Sequence, residues 1–278
     1  RTRVKNAQNY CKNEFLFTKL LNIQNFDCVA QAHFINYDLN YSVYSYLLGD
    51  SVEIVDNKIV QDCANFIGKI QEIQKKSLER ITFKAKDASF TVFEHIELTN
   101  LKIKSSIIFS KKIRFCEIYD WLLNEFVPKF SIIQSRIVNH SKSILNSRVV
   151  DIILSPSDFG FHNIKIHQNK LLFFDFEYSG WDDPAKLCCD FICQPDNPIS
   201  DDHAYVFVEN LSNILGSNSL HERVNVLLPL YRIRWCLIML NVAMKKFSYA
   251  HSETLHQAEI NPQITKALNY YQTHLSQI

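Results

Sequence analysis

Glycine is scarce in this chain: five occur among 278 residues, none before Gly49, and all seven prolines fall at or after Pro128. A stretch of 48 residues without glycine holds no glycine-rich phosphate loop. No excess of either charge exists, because 30 Lys plus Arg stand against 29 Asp plus Glu. That balance removes any global electrostatic argument for nucleic acid or an anionic membrane. Eight cysteines are present, at 11, 28, 63, 116, 188, 189, 193 and 236, but none are in Cys-x-x-Cys spacing. They are expected to be buried or incidental reduced thiols rather than disulfides or a zinc cluster. Long apolar runs are also missing. The most apolar stretch, residues 235–244, is too short to span a bilayer and follows Arg232 and Arg234, so it is expected to be a buried core helix. The first residues are polar and then amphipathic, unlike a signal peptide, and the expected location is the cytoplasm.

What is present is an ordinary globular composition, 47% hydrophobic and 21% charged, over a length that buries a sizeable core. Apolar residues at 15, 17, 20 and 21 mark one face of a helix over 14–21. Residues 29–39 and 41–48 have the look of short strands around a polar turn at 38–40. Helical spacing returns over 60–75, where Cys63, Phe66, Ile67, Ile70 and Ile73 share a face. Further helices are expected over 88–106, 113–147, 183–194, 203–215, 221–245 and 263–276, with residues 75–87 either a helix end and loop or a mobile connection. The pattern is α+β: a small mixed lobe over residues 1–49, then a mainly helical lobe over 50–278.

Residues 155–186, "SPSDFGFHNIKIHQNKLLFFDFEYSGWDDPAK", concentrate the chemistry. "IKI" at 164–166 and "LLFF" at 171–174 flank the polar turn "HQNK", and antiparallel pairing would make neighbours of Asn163 and Asp175. Asp158 sits five residues before Asn163, in the loop entering the hairpin. Phosphoryl transfer needs a carboxylate to accept the proton of an attacking hydroxyl, and an amide oxygen with a second carboxylate to hold magnesium against phosphate. Asp and Asn also cap turns, so a purely structural polar turn is the competing reading of these residues.

The set Asp158, four residues, Asn163, hairpin, Asp175, then Asp183-Pro184 resembles the aminoglycoside phosphotransferase and choline kinase superfamily, small-molecule relatives of the protein kinases. "ASFTVFEHIELTNLKIKSSI" and "YRIRWCLIMLN" resemble a bacterial branch of it. The resemblance implies a protein-kinase-like bilobal fold with Asp158 as catalytic base and Asn163 and Asp175 as magnesium ligands. It also implies that Glu14 positions a nucleotide-binding lysine and that Ser45, Tyr46 and Leu47 form the hinge meeting the nucleotide base. The implied cofactors are ATP or another nucleoside triphosphate and Mg2+, and the implied acceptor is a small polar hydroxyl-bearing molecule, aminoglycoside-like or another metabolite. Pro156 replaces the family's loop histidine, and only thirteen residues precede Glu14, where a glycine-rich turn and a lysine-bearing strand would stand. Lys5 and Lys12 are badly placed to substitute for that lysine. The expectation is a truncated or reduced small lobe with weak or absent transfer by this 278-residue species, and a noncatalytic kinase-fold binding protein, a pseudokinase, is the alternative.

Between Asp151 and Asp202 lie ten acidic residues, three lysines and no arginine, a formal charge of minus seven. Such a bias suits a cationic or polyhydroxylated acceptor, and equally metal chemistry or a solvated face. Glu177 and Asp182 are expected near the mouth of the cleft, Asp183 as a helix cap, and Asp190 as a brace for the catalytic loop. His162 is expected to pack or hydrogen-bond within the loop, and His167 to be exposed. Basic residues over 102–148 are interleaved with acids and fit a solvated helix face better than a nucleic-acid site.

Overall fold

The computed structural model describes residues 7–76, 81–140, 145–249 and 253–276. Residues 77–80 of the expected 75–87 connection, 141–144 of the helix expected over 113–147, and Lys5 lie outside the described residues. In chain order, helix α1 (Ala7–Ile23) leads to strands β1 (Ala32–Asn36), β2 (Tyr41–Tyr44) and β3 (Asp50–Ser51), then helices α2 (Asn57–Lys76), α3 (Val92–Lys112), α4 (Cys116–Trp121) and α5 (Val127–His140). Strand β4 (Ile153–Ser155), the hairpin β5 (Ile164–His167) and β6 (Lys170–Phe173), and β7 (Gly180–Asp182) follow. Helices α6 (Pro184–Cys193), α7 (Asp201–Leu215), α8 (Leu220–Tyr249) and α9 (Glu253–His274) complete the chain. The α+β expectation holds: a mixed N-terminal region with strands precedes a larger, mainly helical one.

Two compact units divide these elements, one built from Arg1–Ala88 and Val149–Val224, the other from Ser89–Arg148 and Asn225–Ile278. In the first, α1 is tied to β1 by the Asn22 side chain, which donates to Ala30 O at 3.0 Å and accepts from Ala32 N at 2.8 Å. β1 and β2 pair antiparallel with a bulge between Ala32 and Phe34. β3, β5 and β6 form a second antiparallel sheet, in that order, and β4 pairs with β7. Under the sheets, phenylalanines form a continuous layer: Phe66 of α2 stacks on Phe173 at 3.8 Å between centroids, and Phe191 of α6 on Phe207 of α7 at 4.1 Å. Gln71 of α2 is buried and grips β4 with both ends of its amide, Nε2 donating to Leu154 O and Oε1 accepting from Leu154 N, each at 2.9 Å.

In the second unit, Thr91 and Glu94 form a reciprocal capping box that starts α3. The helix expected over 113–147 is instead α4 and α5 joined by a π-helical turn at Leu122–Phe126. On α3, buried His95 meets the Tyr231 hydroxyl at 3.0 Å. By length and composition α8 could cross a membrane, yet more than half of its apolar window is buried within the fold. Cys236, Leu237, Leu240, Ala243 and Met244 are all core residues, as expected for 235–244. All eight cysteines are free thiols, five of them buried.

The hairpin turn is tighter than the four-residue turn expected from sequence. Only Gln168 and Asn169 lie outside the strands, both with positive φ, 49° and 61°. That geometry matches a two-residue type I′ turn. Glycine carries no penalty in that conformation, so Gln168→Gly is expected to stabilise by about 0.5–1 kcal/mol, read as a small rise in Tm.

Candidate active site

The loop bearing Asp158 leaves β4 through a tight backbone bend. Ser157 adopts φ 71°, its N–H donates to Ser155 Oγ at 2.9 Å, and Phe159 N–H donates to Ser157 O at 2.8 Å. Phe159 and Phe161 then plug the loop into the aromatic layer, at 5.6 and 5.4 Å from Phe191. Anchoring those two leaves Asp158 and His162 at the surface, each partly exposed. Asn163 is 7% exposed and spans the loop, its Nδ2 donating to Asp158 O at 2.9 Å. One of its amide hydrogens is thereby engaged with the loop, and Oδ1 is the atom suited to a cation.

Asp175 reaches the same place from the other strand. Ile164 pairs with Phe173, and Phe174 N–H donates to Asn163 O at 3.2 Å, so Asn163 and Asp175 sit on adjacent strand ends, as the hairpin argument requires. Asp175 is exposed at φ 64°, between Phe173 and Phe176, which are both buried. Aspartate tolerates the left-handed region better than most residues. Phe176 packs on Phe17 of α1 at 5.1 Å, so the helix carrying Glu14 is fastened next to Asp175. The Tyr44 phenol registers the neighbourhood: burial pushes it well above its ordinary pKa, and the charges of Glu14 and Asp175 add to the rise.

Ser45, Tyr46 and Leu47 run from β2 toward β3, which pairs with β5 through Asp50↔Ile166 and Ser51↔Lys165. Ser45 exchanges hydrogen bonds with Gln31: Ser45 N–H to Gln31 O at 2.9 Å, and Gln31 N–H to Ser45 Oγ at 2.8 Å. Leu47 O accepts from Lys165 Nζ at 3.3 Å, and Tyr46 is 80% exposed. The expected hinge therefore lies along the strand that begins immediately after Asn163.

His162 is a hydrogen-bonding residue of the loop. Its Nε2 lies 3.3 Å from Asp158 Oδ1, and its Nδ1 accepts from Gln194 Nε2 at 2.9 Å. The Gln194 amide is oriented by Asn197 N–H, which donates to its oxygen at 3.0 Å. Burial disfavours the imidazolium, but the hydrogen bond and charge of Asp158, with Asp196 and Asp175 adding, hold the His162 pKa above its ordinary value.

Behind the loop lies a polar cluster that sequence reasoning missed. Lys186, 2% exposed, extends its ammonium to Ser157 Oγ at 3.0 Å, Asp182 at 2.7 Å and Asp190 at 3.3 Å. Asp182 is therefore fully buried rather than at the cleft mouth, because β7 pairs with β4 and carries it under the loop. Burial outweighs the Lys186 ammonium and raises the Asp182 pKa to about 7. Asp183 caps α6 as expected, accepting from Ala185 N–H at 2.8 Å, and is also held by Arg223 Nε at 2.7 Å. Asp190 connects to the loop through Lys186 and Ser157. The available signal was a lysine one turn before Asp190 on α6, since i,i+4 pairing on a helix brings an ammonium to an acid, whereas Asp182 belongs to β7 and reaches Lys186 from the strand end.

No protein-family model matches the chain, and no curated protein sequence matches it significantly. Solved structures do. A choline kinase from Cryptosporidium parvum is similar at 13% identity and TM-score 0.55, over 96% of this chain and 79% of that one. An aminoglycoside phosphotransferase from Alicyclobacillus acidocaldarius is similar at 12% identity and TM-score 0.56, over 97% of this chain and 82% of that one. A choline kinase from Streptococcus pneumoniae is similar at 14% identity and TM-score 0.54, over 96% of this chain and 84% of that one. The chain thus has a fold that distantly resembles the aminoglycoside phosphotransferase and choline kinase superfamily, along nearly its whole length.

Proposed function

We propose that this chain is a magnesium-dependent phosphotransferase that passes the γ-phosphoryl group of a nucleoside triphosphate to a hydroxyl of a small polar acceptor, aminoglycoside-like or another polyhydroxylated metabolite. The observation carrying the proposal is that Asp158, Asn163 and Asp175 converge inside one compact unit, on a loop and hairpin anchored by buried phenylalanines. Asp158 is the base. Its partly exposed carboxylate, oriented by His162, takes the proton of the acceptor hydroxyl as the new O–P bond forms and the bond to the diphosphate oxygen breaks.

Asn163 and Asp175 fit magnesium, since an amide oxygen and a carboxylate are hard donors and the Asn163 NH2 is engaged by Asp158 O. Among the described residues no group of three or more His, Cys, Asp or Glu side chains could hold a metal, and Mg2+ ordinarily takes its remaining ligands from water and substrate phosphate. When bound, Mg2+ would offset the charge on the phosphate oxygens. Glu14, Ser45, Tyr46 and Leu47 belong to the nucleotide side of this site.

The test offers Mg-ATP and Mg-GTP with a panel of aminocyclitols, amino alcohols and sugars, and reads phosphorylated product by mass. Asp158→Asn is expected to lower turnover by about 10²–10⁴-fold while Mg-dependent nucleotide binding persists. Asp175→Asn is expected to remove the magnesium dependence of binding. Mg-dependent binding without transfer to any acceptor would favour the noncatalytic kinase-fold reading, and no Mg-dependent nucleotide binding at all would overturn the site itself.

A further inference from the structure

The base end of the proposed nucleotide site contains a cation. Lys165 stands on β5 two residues after Asn163, and its Nζ donates to Leu47 O at 3.3 Å while lying 5.4 Å from the centre of the Tyr46 ring. The pairing of β3 with β5 through Ser51↔Lys165 holds it there. On the same segment, the Ser45 N–H donates to Gln31 O and the Ser45 Oγ accepts from Gln31 N–H.

Resting on the phosphotransferase reading above, we infer that this subsite selects a 6-oxopurine, the guanine of GTP, over a 6-aminopurine. Guanine presents two adjacent acceptors, O6 and N7, whereas adenine presents an amino donor beside N7. An ammonium has three donors and no acceptor. One proton of Lys165 is given to Leu47 O, and the other two can meet the O6 and N7 edge of guanine. Adenine would set its amino group against an ammonium that has no acceptor to offer it. The exposed Tyr46 face can stack on either purine and so adds affinity without choice.

Competition binding on the full 278-residue chain with Mg2+ tests this, using GTP, ITP, ATP and 2-aminopurine riboside triphosphate against wild type and Lys165→Leu. GTP and ITP, which share the 6-oxo group, are expected to bind about tenfold more tightly than the two nucleotides lacking it. Lys165→Leu is expected to bring the GTP to ATP ratio near one, mainly by weakening GTP. Should Lys165→Leu fail to fold, the ITP comparison in the wild-type chain still decides, because 6-oxo preference is read without the variant. Binding with no base preference, or a preference that survives Lys165→Leu, overturns this inference and leaves the phosphotransferase reading standing. Absence of Mg-dependent binding for all four nucleotides overturns both.

Discussion

Lys186→Met is expected to destabilise the first unit by about 3–5 kcal/mol, the usual cost of removing one partner from a buried charge pair. In a chain of this size that loss corresponds to a Tm drop on the order of 10 °C. Methionine nearly preserves the volume, so the effect isolates the charge. Lys186 and Asp182 are 2% and 0% exposed, and the ammonium is shared with Asp190 and Ser157 Oγ. The sign with pH follows from Asp182, whose folded pKa of about 7 lies above its ordinary value of 3.8. Between those values the folded state binds more protons than the unfolded one, so this carboxyl's contribution is greatest below about pH 4 and is lost as pH rises through about 7. Without Lys186 the ionised form of Asp182 has less support. The Tm difference between wild type and variant is therefore expected to be larger at pH 8 than at pH 6, measured by calorimetry at both. A difference that does not depend on pH would mean that Asp182 does not titrate in this range. On the proposed function, phosphoryl transfer should fall as well, because Ser157, one residue before Asp158, loses its anchor at a strained φ.

Much of the loop and hairpin was legible because local rules set it. Strand residues 164–166 and 171–174 flank a turn rich in polar residues, and pairing them fixes Asn163 beside the chain entering Asp175. The helices were legible from apolar spacing, with α2, α6 and α7 within a few residues of expectation. Strands β4 and β7 were not. Each has three residues, β4 is buried throughout, and the apolar-polar alternation that marks a half-buried strand cannot develop over that length. With them went the location of Asp182. Acidic residues near a proposed active site read from sequence as surface charge, and only the β4–β7 pairing shows that one of them is inside.

The segment 45–47, expected as a hinge, was legible as the chain leaving a strand, but its hydrogen bonding was not. Ser45 reaches back to Gln31, and Leu47 is met by a lysine 118 residues later in the chain, a contact that no local pattern encodes. Asp175 and Ser157 share a related feature, since both hold positive φ without being glycine. Such positions persist where surrounding structure over-determines them. Here the surroundings are the buried Phe173 and Phe176 around one, and Lys186 on the other.

Gly180→Ala is expected to be among the most damaging single-methyl changes in the chain. Gly180 opens β7 with φ 150°, and a Cβ there would fall 2.5 Å from both Ala85 N and Lys84 C, and 2.8 Å from Lys84 O. All three are backbone atoms, which cannot rotate aside as a side-chain tip can. The contact is close because residues 83–86 run along β7, with Trp181 N–H donating to Phe83 O at 3.1 Å and Ala85 N–H to Trp181 O at 3.0 Å. Trp181 Nε1 also donates to Ile81 O at 2.6 Å. Inserting a methyl group must push this strap off β7 and with it disturb the β4–β7 pair that launches the Asp158 loop. Backbone strain and overpacking each cost about 1–3 kcal/mol, so a loss of about 2–5 kcal/mol is expected. Gly216→Ala is the control: it also has positive φ, 64°, but a Cβ there meets nothing within 4 Å. That variant is expected to lose only the backbone term, about 1–2 kcal/mol. Denaturant midpoints of the two variants separate the contributions. If Gly180→Ala is no worse than Gly216→Ala, the strap does not press on β7 in solution. A larger loss at Gly180, accompanied by protease cleavage at residues 81–88, would show that this strap is what holds the strand under the Asp158 loop.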